Sequence, residues 1–382
     1  MAADSHRLRI LMTADTVGGV WQYSMELCTA LCAGGDEVVL ATMGAPPSPA
    51  QLAQVSAVPG LRLYGTSFKL LWMDQPWHDV QRAGEWLLDL ASQVCPDVVH
   101  LNDFGHGALD WPAPVLMCGH SCVSSWWQAV HGTQLPEGWQ RYRDTVRAAL
   151  SAADHVVAPT GWMLEVLVRH YGPLRRGSVI HNGRSKLAVS AEKQPCILAA
   201  GRLWDQAKNL ELLAGVAPSL PWPVRVAGET KVPHGEAVSL PGTQLLGRLD
   251  EAALAREMAA ATIYALPARY EPFGLSVLEA AQAGCALVLG DIPSLREVWG
   301  DAALYVPDNA FALEQTLHGL IADPARCARL ARRAQRRAQR YSPGEMVRRY
   351  RALYLDLVRG RRWRGPHDAP RLRGSAPTEV TA

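Results

Sequence analysis

What most constrains the fold is an alternation of short apolar runs with amphipathic stretches, carried through twice along 382 residues. The first series of runs is LRILMTA, EVVLATM, LRLYGT, DVVHLND, PVLMCGH, HVVAPT and SVIHNG. Helical patterns such as 25–33 and 77–94 lie between most of them. The second series is CILAAGRL, VRVAGE, TQLLGRL, TIYALPA, ALVLGD and ALYVPD, with helical patterns at 209–216, 251–260 and 274–284. Near-continuous apolar runs of this length suit strands buried on both faces, and their alternation with helices predicts an α/β protein with parallel sheets. The polar, aperiodic stretch SKLAVSAEKQP, 185–195, separates the series. Two domains are therefore expected, 1–185 and 186–342.

Beyond 342 the sequence predicts one more helix, over 343–360. Ser342, Pro343 and Glu345 fit a cap, a first-turn proline and a capping-box glutamate. Met346, Val347, Tyr350, Leu353, Tyr354 and Leu357 mark one apolar face. The tail, 361–382, is expected to be disordered. The preceding stretch, 325–340, is rich in arginine. It reads either as a contact for an anionic membrane surface or as a solvated helix face, and its lack of bulky apolar residues favours the second.

Composition excludes several classes. About half of the residues are apolar and the net charge is +2, so the chain is neither disordered nor a polycation for nucleic acid. No apolar run is long enough to span a bilayer, and MAADSHRLRILMTAD reads directly into a strand rather than as a secretory leader. A cytoplasmic location is expected, with peripheral contact at the inner face of the membrane as the alternative. The eight cysteines form no C-x-x-C pair and read as reduced thiols, most of them buried. No metal-binding pattern is present.

Four segments carry chemistry. In ARYEPFGLSVLEAAQAG, Glu271 and Glu279 are separated by seven residues, with a turn before a helix closed by Gly284. A ligand at the strand's carboxyl end would meet the helix N-terminus, whose amides and dipole favour phosphate or hydroxyl oxygens. Gly274 permits close backbone approach. Two carboxylate acceptors beside such a helix end suit a polyhydroxyl ligand carrying phosphates. The plainer reading makes Glu279 a solvated helix residue and Glu271 a helix-entry charge. In AAGRLWDQAKNL, Arg202 and Lys208 bracket a loop after a strand, where fixed cations would neutralise a departing diphosphate. Lysine is rare here, 5 against 33 arginines, so Lys208 is harder to dismiss as a surface cation.

In TADTVGGVWQYSMEL, Gly18 and Gly19 lie at the first strand-to-helix turn and would let amides approach a phosphate or substrate. In MCGHSCVSSWWQAVHG, His120 ends a strand, and Trp126 and Trp127 offer flat faces for sugar or apolar acceptor surfaces; packing in the interdomain region is the equal alternative. Asp103 and His106 form a further acceptor-side pair. Asn182 and Gly183 fit a hinge.

Together these segments resemble the retaining GT-B glycosyltransferases of family 4, the group 1 glycosyltransferases, over nearly the whole chain. EPFGLSVLE matches the E-x7-E motif, GRLWDQAKNL the Arg/Lys diphosphate motif, GGV the glycine loop, and IHNG the N-G before the linker. GDIPSLREVWGDAALYV matches the segment after the motif helix. The resemblance implies two Rossmann-like domains facing across a cleft, with the final helix crossing back to the N-terminal, acceptor-side domain. It implies that Glu271 and the amides of Phe273, Gly274 and Leu275 hold the donor sugar, that Glu279 accepts from the ribose, and that Arg202 and Lys208 grip the diphosphate. Gly19 would lie near donor phosphates or acceptor, and His120 would touch the donor sugar. Asp103, Trp126 and Trp127 would face the acceptor.

The implied reaction moves a hexose from a nucleotide diphosphate sugar to an acceptor hydroxyl with retention, in polysaccharide or glycolipid biosynthesis. The acceptor would be a glycan, a lipid-linked sugar or a small molecule. No cofactor is expected besides the donor substrate, and no metal. Val17 stands where glycogen and starch synthases carry a lysine, and the chain is short for that group, which disfavours a glucan synthase. Two other readings share the fold: a nucleotide-sugar 2-epimerase, which the intact E-x7-E motif opposes, and a non-catalytic nucleotide-sugar-binding protein, which the intact Arg202, Lys208, Glu271 and Glu279 oppose.

Overall fold

The computed structural model describes residues 7–186, 189–230 and 238–362. Most of the expected tail, from 363 on, lies outside the described residues. The chain divides into two compact units. Among the described residues, the first comprises everything up to Ser124, then Leu135–Gly183, and everything from Pro343. The second comprises Ser125–Gln134 and Arg184–Ser342.

Each apolar run of the sequence overlaps a strand. In the first unit these are β1 (Arg9–Asp15), β2 (Glu37–Met43), β3 (Leu61–Gly65), β4 (Val98–Leu101), β5 (Val115–Cys118), β6 (His155–Ala158) and β7 (Gly177–Val179). They form one parallel sheet in the order β3-β2-β1-β4-β5-β6-β7. Ile10 of β1 is paired with Val38 on one side and Val98 on the other. All four residues of β4 are buried, as a strand covered by helices on both faces must be.

The second unit repeats the plan with β8 (Gln194–Ala200), β9 (Val224–Ala227), β10 (Gln244–Gly247), β11 (Ala261–Leu266), β12 (Ala286–Gly290) and β13 (Leu304–Val306). Its order is β10-β9-β8-β11-β12-β13, again parallel. Its core includes Ile197, Leu198, Ile263, Leu278, Leu287, Leu289 and Trp299, of which none exceeds 0% exposure. Each such aliphatic side chain contributes about 1.5–3 kcal/mol by leaving water.

In both sheets strand order reverses beside the first strand: between β1 and β4, and between β8 and β11. In open parallel sheets the loops at the carboxyl ends splay apart at this switch point, and ligands bind there.

The final helix, Pro343–Arg362, belongs to the first unit. Met346, Tyr350, Tyr354 and Leu357 enter the core formed by β1, β2, β4 and the helix Gly19–Ala33, and Val347 and Leu353 pack against it. The arginine-rich stretch forms the helix Pro324–Ala338, whose Cys327, Leu330, Ala334 and Ala338 are buried while Arg326, Arg329, Arg332 and Arg336 are exposed. No described helix is long and apolar enough to cross a membrane.

Candidate active site

The second unit's switch point brings together two of the segments singled out above. Arg202 and Lys208 follow β8, and Glu271 follows the adjacent β11. Lys208 Nζ donates to Glu271 Oε2 at 2.5 Å. Both side chains are mostly buried, at 16% and 12% exposure, so the pair is held in a partly dry setting. The two loops are also tied by hydrogen bonds to backbone carbonyls. Arg269 N donates to Ala207 O, and Asn209 Nδ2 to Pro267 O. Ser294 Oγ donates to the Glu271 carbonyl at 2.6 Å.

Two glycines shape this region. Gly274 starts the helix Leu275–Gln282 with φ 88°, in the left-handed region, and among the described residues no side chain caps that helix. Gly228, after β9, packs so tightly on the β8 loop that a Cβ would lie 1.8 Å from the Gly201 carbonyl oxygen. Only a residue without a Cβ lets the loop carrying Arg202 sit there. Phe273 turns its ring into the core, edge-on to Tyr341, so it has only backbone to offer a ligand. Leu275 opens the helix.

Asp205 is the residue of this site that the sequence pattern did not single out. It lies between the two cations, is 4% exposed, and accepts from Arg202 Nη2 at 2.8 Å and Ala207 N at 3.1 Å. Burial pushes its carboxyl up, but Arg202, Lys208 and the hydrogen bonds outweigh that and hold it below the ordinary value. Asp205 Oδ1 also accepts from Trp126 Nε1 at 3.0 Å. Trp126, expected on the acceptor side, thus braces the Arg202 loop. Trp127 donates to Thr133 Oγ1 and stacks with His131.

Glu279, a turn further along the motif helix, is gripped by Arg184. Arg184 Nε lies 2.6 Å from Glu279 Oε1, and Arg184 Nη2 lies 2.5 Å from Glu251 Oε1. Arg184 follows the IHNG segment directly. Nothing in its spacing pointed to Glu279.

The first unit's switch point carries the other candidates. Gly18, with φ 76°, precedes the helix Gly19–Ala33, which begins six residues before the apolar pattern does. The Gly18-Gly19 pair therefore sits at the helix N-terminus. His120, just beyond β5, bonds through Nε2 to Asn102 Oδ1 at 2.8 Å, beyond the end of β4. Burial pushes His120 down to about 4, so its ring is neutral at pH 7.

Asp103 accepts from Thr13 Oγ1 at 2.9 Å, Gly105 N at 3.0 Å and His106 Nδ1 at 2.6 Å. His106 Nε2 faces the Val80 carbonyl at 3.2 Å. Both partners of His106 only accept, so both ring nitrogens carry protons and the residue is an imidazolium. Burial opposes that charge, and Asp103 with its hydrogen bond and the Val80 carbonyl raises the His106 pKa in spite of it. The pair is a clasp on the loop after β4. Asn182 is buried and its Oδ1 has no partner among the described residues; Gly183 N donates to Met346 Sδ.

Among the described residues no group of three or more His, Cys, Asp or Glu is arranged to hold a metal. The fixed positive charge near the second switch point comes from arginine and lysine.

Residues 17–185 match Glycosyltransferase Family 4, and residues 185–337 match Glycosyl transferases group 1. A Mycobacterium tuberculosis glycogen synthase is 26% identical over 390 residues, 86% of this chain and 90% of that protein. Chain length therefore does not set the protein apart from that enzyme, contrary to expectation. An alpha-maltose-1-phosphate synthase of Mycolicibacterium smegmatis is 27% identical, covering 82% of this chain and 88% of its own. Among solved structures, sucrose-phosphate synthase from Thermosynechococcus elongatus superposes with a TM-score of 0.78 at 19% identity, over 93% of this chain and all of that one. Anabaena HepE in complex with UDP-glucose superposes with a TM-score of 0.72 at 16% identity, over 92% and 100%. With two family matches that together span residues 17–337 and a two-sheet GT-B fold, the chain belongs to glycosyltransferase family 4 (group 1) and is a nucleotide-sugar-dependent glycosyltransferase.

Proposed function

We propose that the protein transfers a hexose from a nucleotide diphosphate sugar to an acceptor hydroxyl with retention of anomeric configuration and without a metal ion. The observation that carries this reading is the Lys208–Glu271 contact at the β8/β11 switch point, with Arg202 on the same loop as Lys208 and an uncapped helix starting at Gly274. In this reading Lys208 and Arg202 take the diphosphate, and Glu271 with the Phe273–Leu275 backbone takes the sugar hydroxyls. Donor binding exchanges the Lys208–Glu271 and Arg202–Asp205 pairings for contacts with phosphate and sugar. Glu279, oriented by Arg184, takes the ribose.

The bond from the anomeric carbon to the phosphate oxygen breaks, and its electron pair stays on the diphosphate. Fixed cations stabilise that charge more effectively in a partly dry site than in water. The acceptor oxygen attacks from the face the phosphate leaves, and its proton passes to the departing phosphate oxygen. Atoms and charge balance with no covalent enzyme intermediate.

The acceptor classes remain a glycan, a lipid-linked sugar or a small molecule, and the likeness to a glycogen synthase returns α-glucan ends to that set. A cytoplasmic location is proposed with this reading, with the exposed arginines of 324–338 as a solvated face rather than a membrane contact. The test is a thermal-shift panel of nucleotide sugars in EDTA, followed by NMR of the product's anomeric configuration. A stabilising donor in EDTA, as expected for a ligand bound only by the folded state, and a retained anomer support the reading. A requirement for divalent cation, or an inverted anomer, would overturn it.

A further inference from the structure

We propose that Thr13 and Asn102 are positioning residues for His120, fixing its imidazole as the Nε2–H form so that Nδ1 is the ring's only acceptor. The proposal rests on the reading of His120 as a residue of the reaction centre. It is carried by a hydrogen-bond chain in which each direction is forced.

The chain starts at Asp103, an ionised carboxylate held by His106 and Gly105 N. Its Oδ2 can only accept, so the Thr13 hydroxyl spends its single proton there, at 2.9 Å. The Thr13 oxygen then accepts from Asn102 N at 2.9 Å. The Asn102 side chain meets the Thr13 carbonyl oxygen at 2.7 Å, and a carbonyl only accepts, so the atom facing it is the amide nitrogen. Reversing the amide would press two oxygens together. With the nitrogen committed, Asn102 Oδ1 faces His120 Nε2 at 2.8 Å, and His120 must donate through it.

The remaining nitrogen, Nδ1, has only a weak partner among the described residues. Cys118 Sγ lies 3.8 Å away, and burial pushes that thiol up to about 12, so it stays protonated. Tyr23 packs its ring edge-on against His120, with centroids 4.5 Å apart. The other titratable neighbours are His100 on β4, kept neutral by burial with a pKa of about 3, and Tyr350 of the final helix, which contacts Cys118. None supplies a negative charge to an imidazolium, and the Asp103 carboxylate stands off behind Thr13. His120 is therefore a neutral ring with one fixed donor and one lone pair, suited to accepting a hydrogen bond from a hydroxyl and unsuited to delivering a proton at pH 7.

The test uses the full chain labelled with 15N-histidine, with the His120 signals assigned by difference against His120→Gln. Wild type is expected to show the Nε2–H form and no protonation of His120 down to about pH 5. Asn102→Leu is expected to release the ring into a mixture of forms and to lower kcat by about tenfold with little change in donor KM. Asn102→Asp places a carboxylate against Nε2–H and is expected to raise the titration of His120 by at least one pH unit, shifting the acid limb of the pH–rate profile with it. Thr13→Ser, which keeps the hydroxyl, is expected to retain turnover where Thr13→Val loses it. An Nδ1–H form in wild type, or an Asn102→Leu protein with unchanged kcat and unchanged 15N spectrum, overturns the proposal. The spectra need no sugar, so a wrong donor assignment leaves that arm intact and is told apart from a wrong positioning role.

Discussion

Lys208 Nζ and Glu271 Oε2 meet at 2.5 Å although their residues leave the sheet on two different strands, β8 and β11. The pairing joins the two loops across the switch point, with both side chains mostly buried. Lys208→Ala removes the proposed diphosphate contact and strands Glu271 at 12% exposure. We expect kcat to fall by about 100- to 1,000-fold and stability by about 1–3 kcal/mol, with the fold retained by circular dichroism. Near wild-type turnover in a folded variant would sink the diphosphate assignment.

Gly274→Ala tests the start of the motif helix. At φ 88° the new residue is strained, and its Cβ would lie 3.0 Å from Val277 Cγ2 and 3.4 Å from Glu271 Cγ. The expected cost is about 1–3 kcal/mol, together with weaker donor binding by calorimetry because Glu271 is displaced. Unchanged affinity would mean that the ligand does not use this turn.

The Asp103–His106 clasp predicts a pH signature. His106 is raised in the folded protein above its ordinary 6.5, so its contribution is complete below pH 6.5 and fades as pH rises through the folded value. Asp103 is lowered below its ordinary 3.8, so its contribution is present above pH 3.8 and fades as pH falls through the folded value. Urea unfolding of wild type and Asp103→Asn should differ most between these limits and converge toward alkaline pH. A difference that grows from pH 7 to 9 would contradict an imidazolium at 106.

Arg351 on the final helix pairs with Asp36, whose side chain is fully buried, at 3.0 Å, and Asp36 Oδ1 also accepts from Leu8 N at 3.0 Å. Arg351→Ala leaves the buried carboxylate without its cation. Arg351 itself is 28% exposed, so the expected loss is about 2 kcal/mol, below the range for a fully buried pair. Chemical denaturation monitored by a tryptophan of the first unit, such as Trp21, checks it. A loss within error would mean that water already compensates Asp36.

The inner strands were legible in the sequence because a strand buried on both faces has to be apolar throughout, as β4 is, and the outer strands, such as β3 and β10, kept enough of the pattern to be found. The E-x7-E and Arg/Lys segments were legible because their spacing survives as spacing along one loop and one helix. The braces were not. Asp205 reads as an ordinary loop acid until Trp126, distant in sequence, is found donating to it. Arg184 lies 95 residues from Glu279, and Asn102 lies 89 from Thr13. Periodicity and local spacing report on neighbours along the chain, whereas these contacts depend on which strands the crossover connections make adjacent.

The first unit's core is assembled from segments far apart in the sequence, since Tyr350 and Tyr354 pack with Ile10, Met12 and Leu27. During synthesis, β1 to β7 leave the ribosome before the 159 residues from Arg184 to Ser342, and only then does the helix that completes their core emerge. The sheet made first is therefore the last to mature, while most of the second unit can condense as it is made. A premature stop ahead of residue 343 would leave the N-terminal sheet exposing an apolar face, so early termination here is a route to aggregation and proteolysis rather than to a shorter working enzyme.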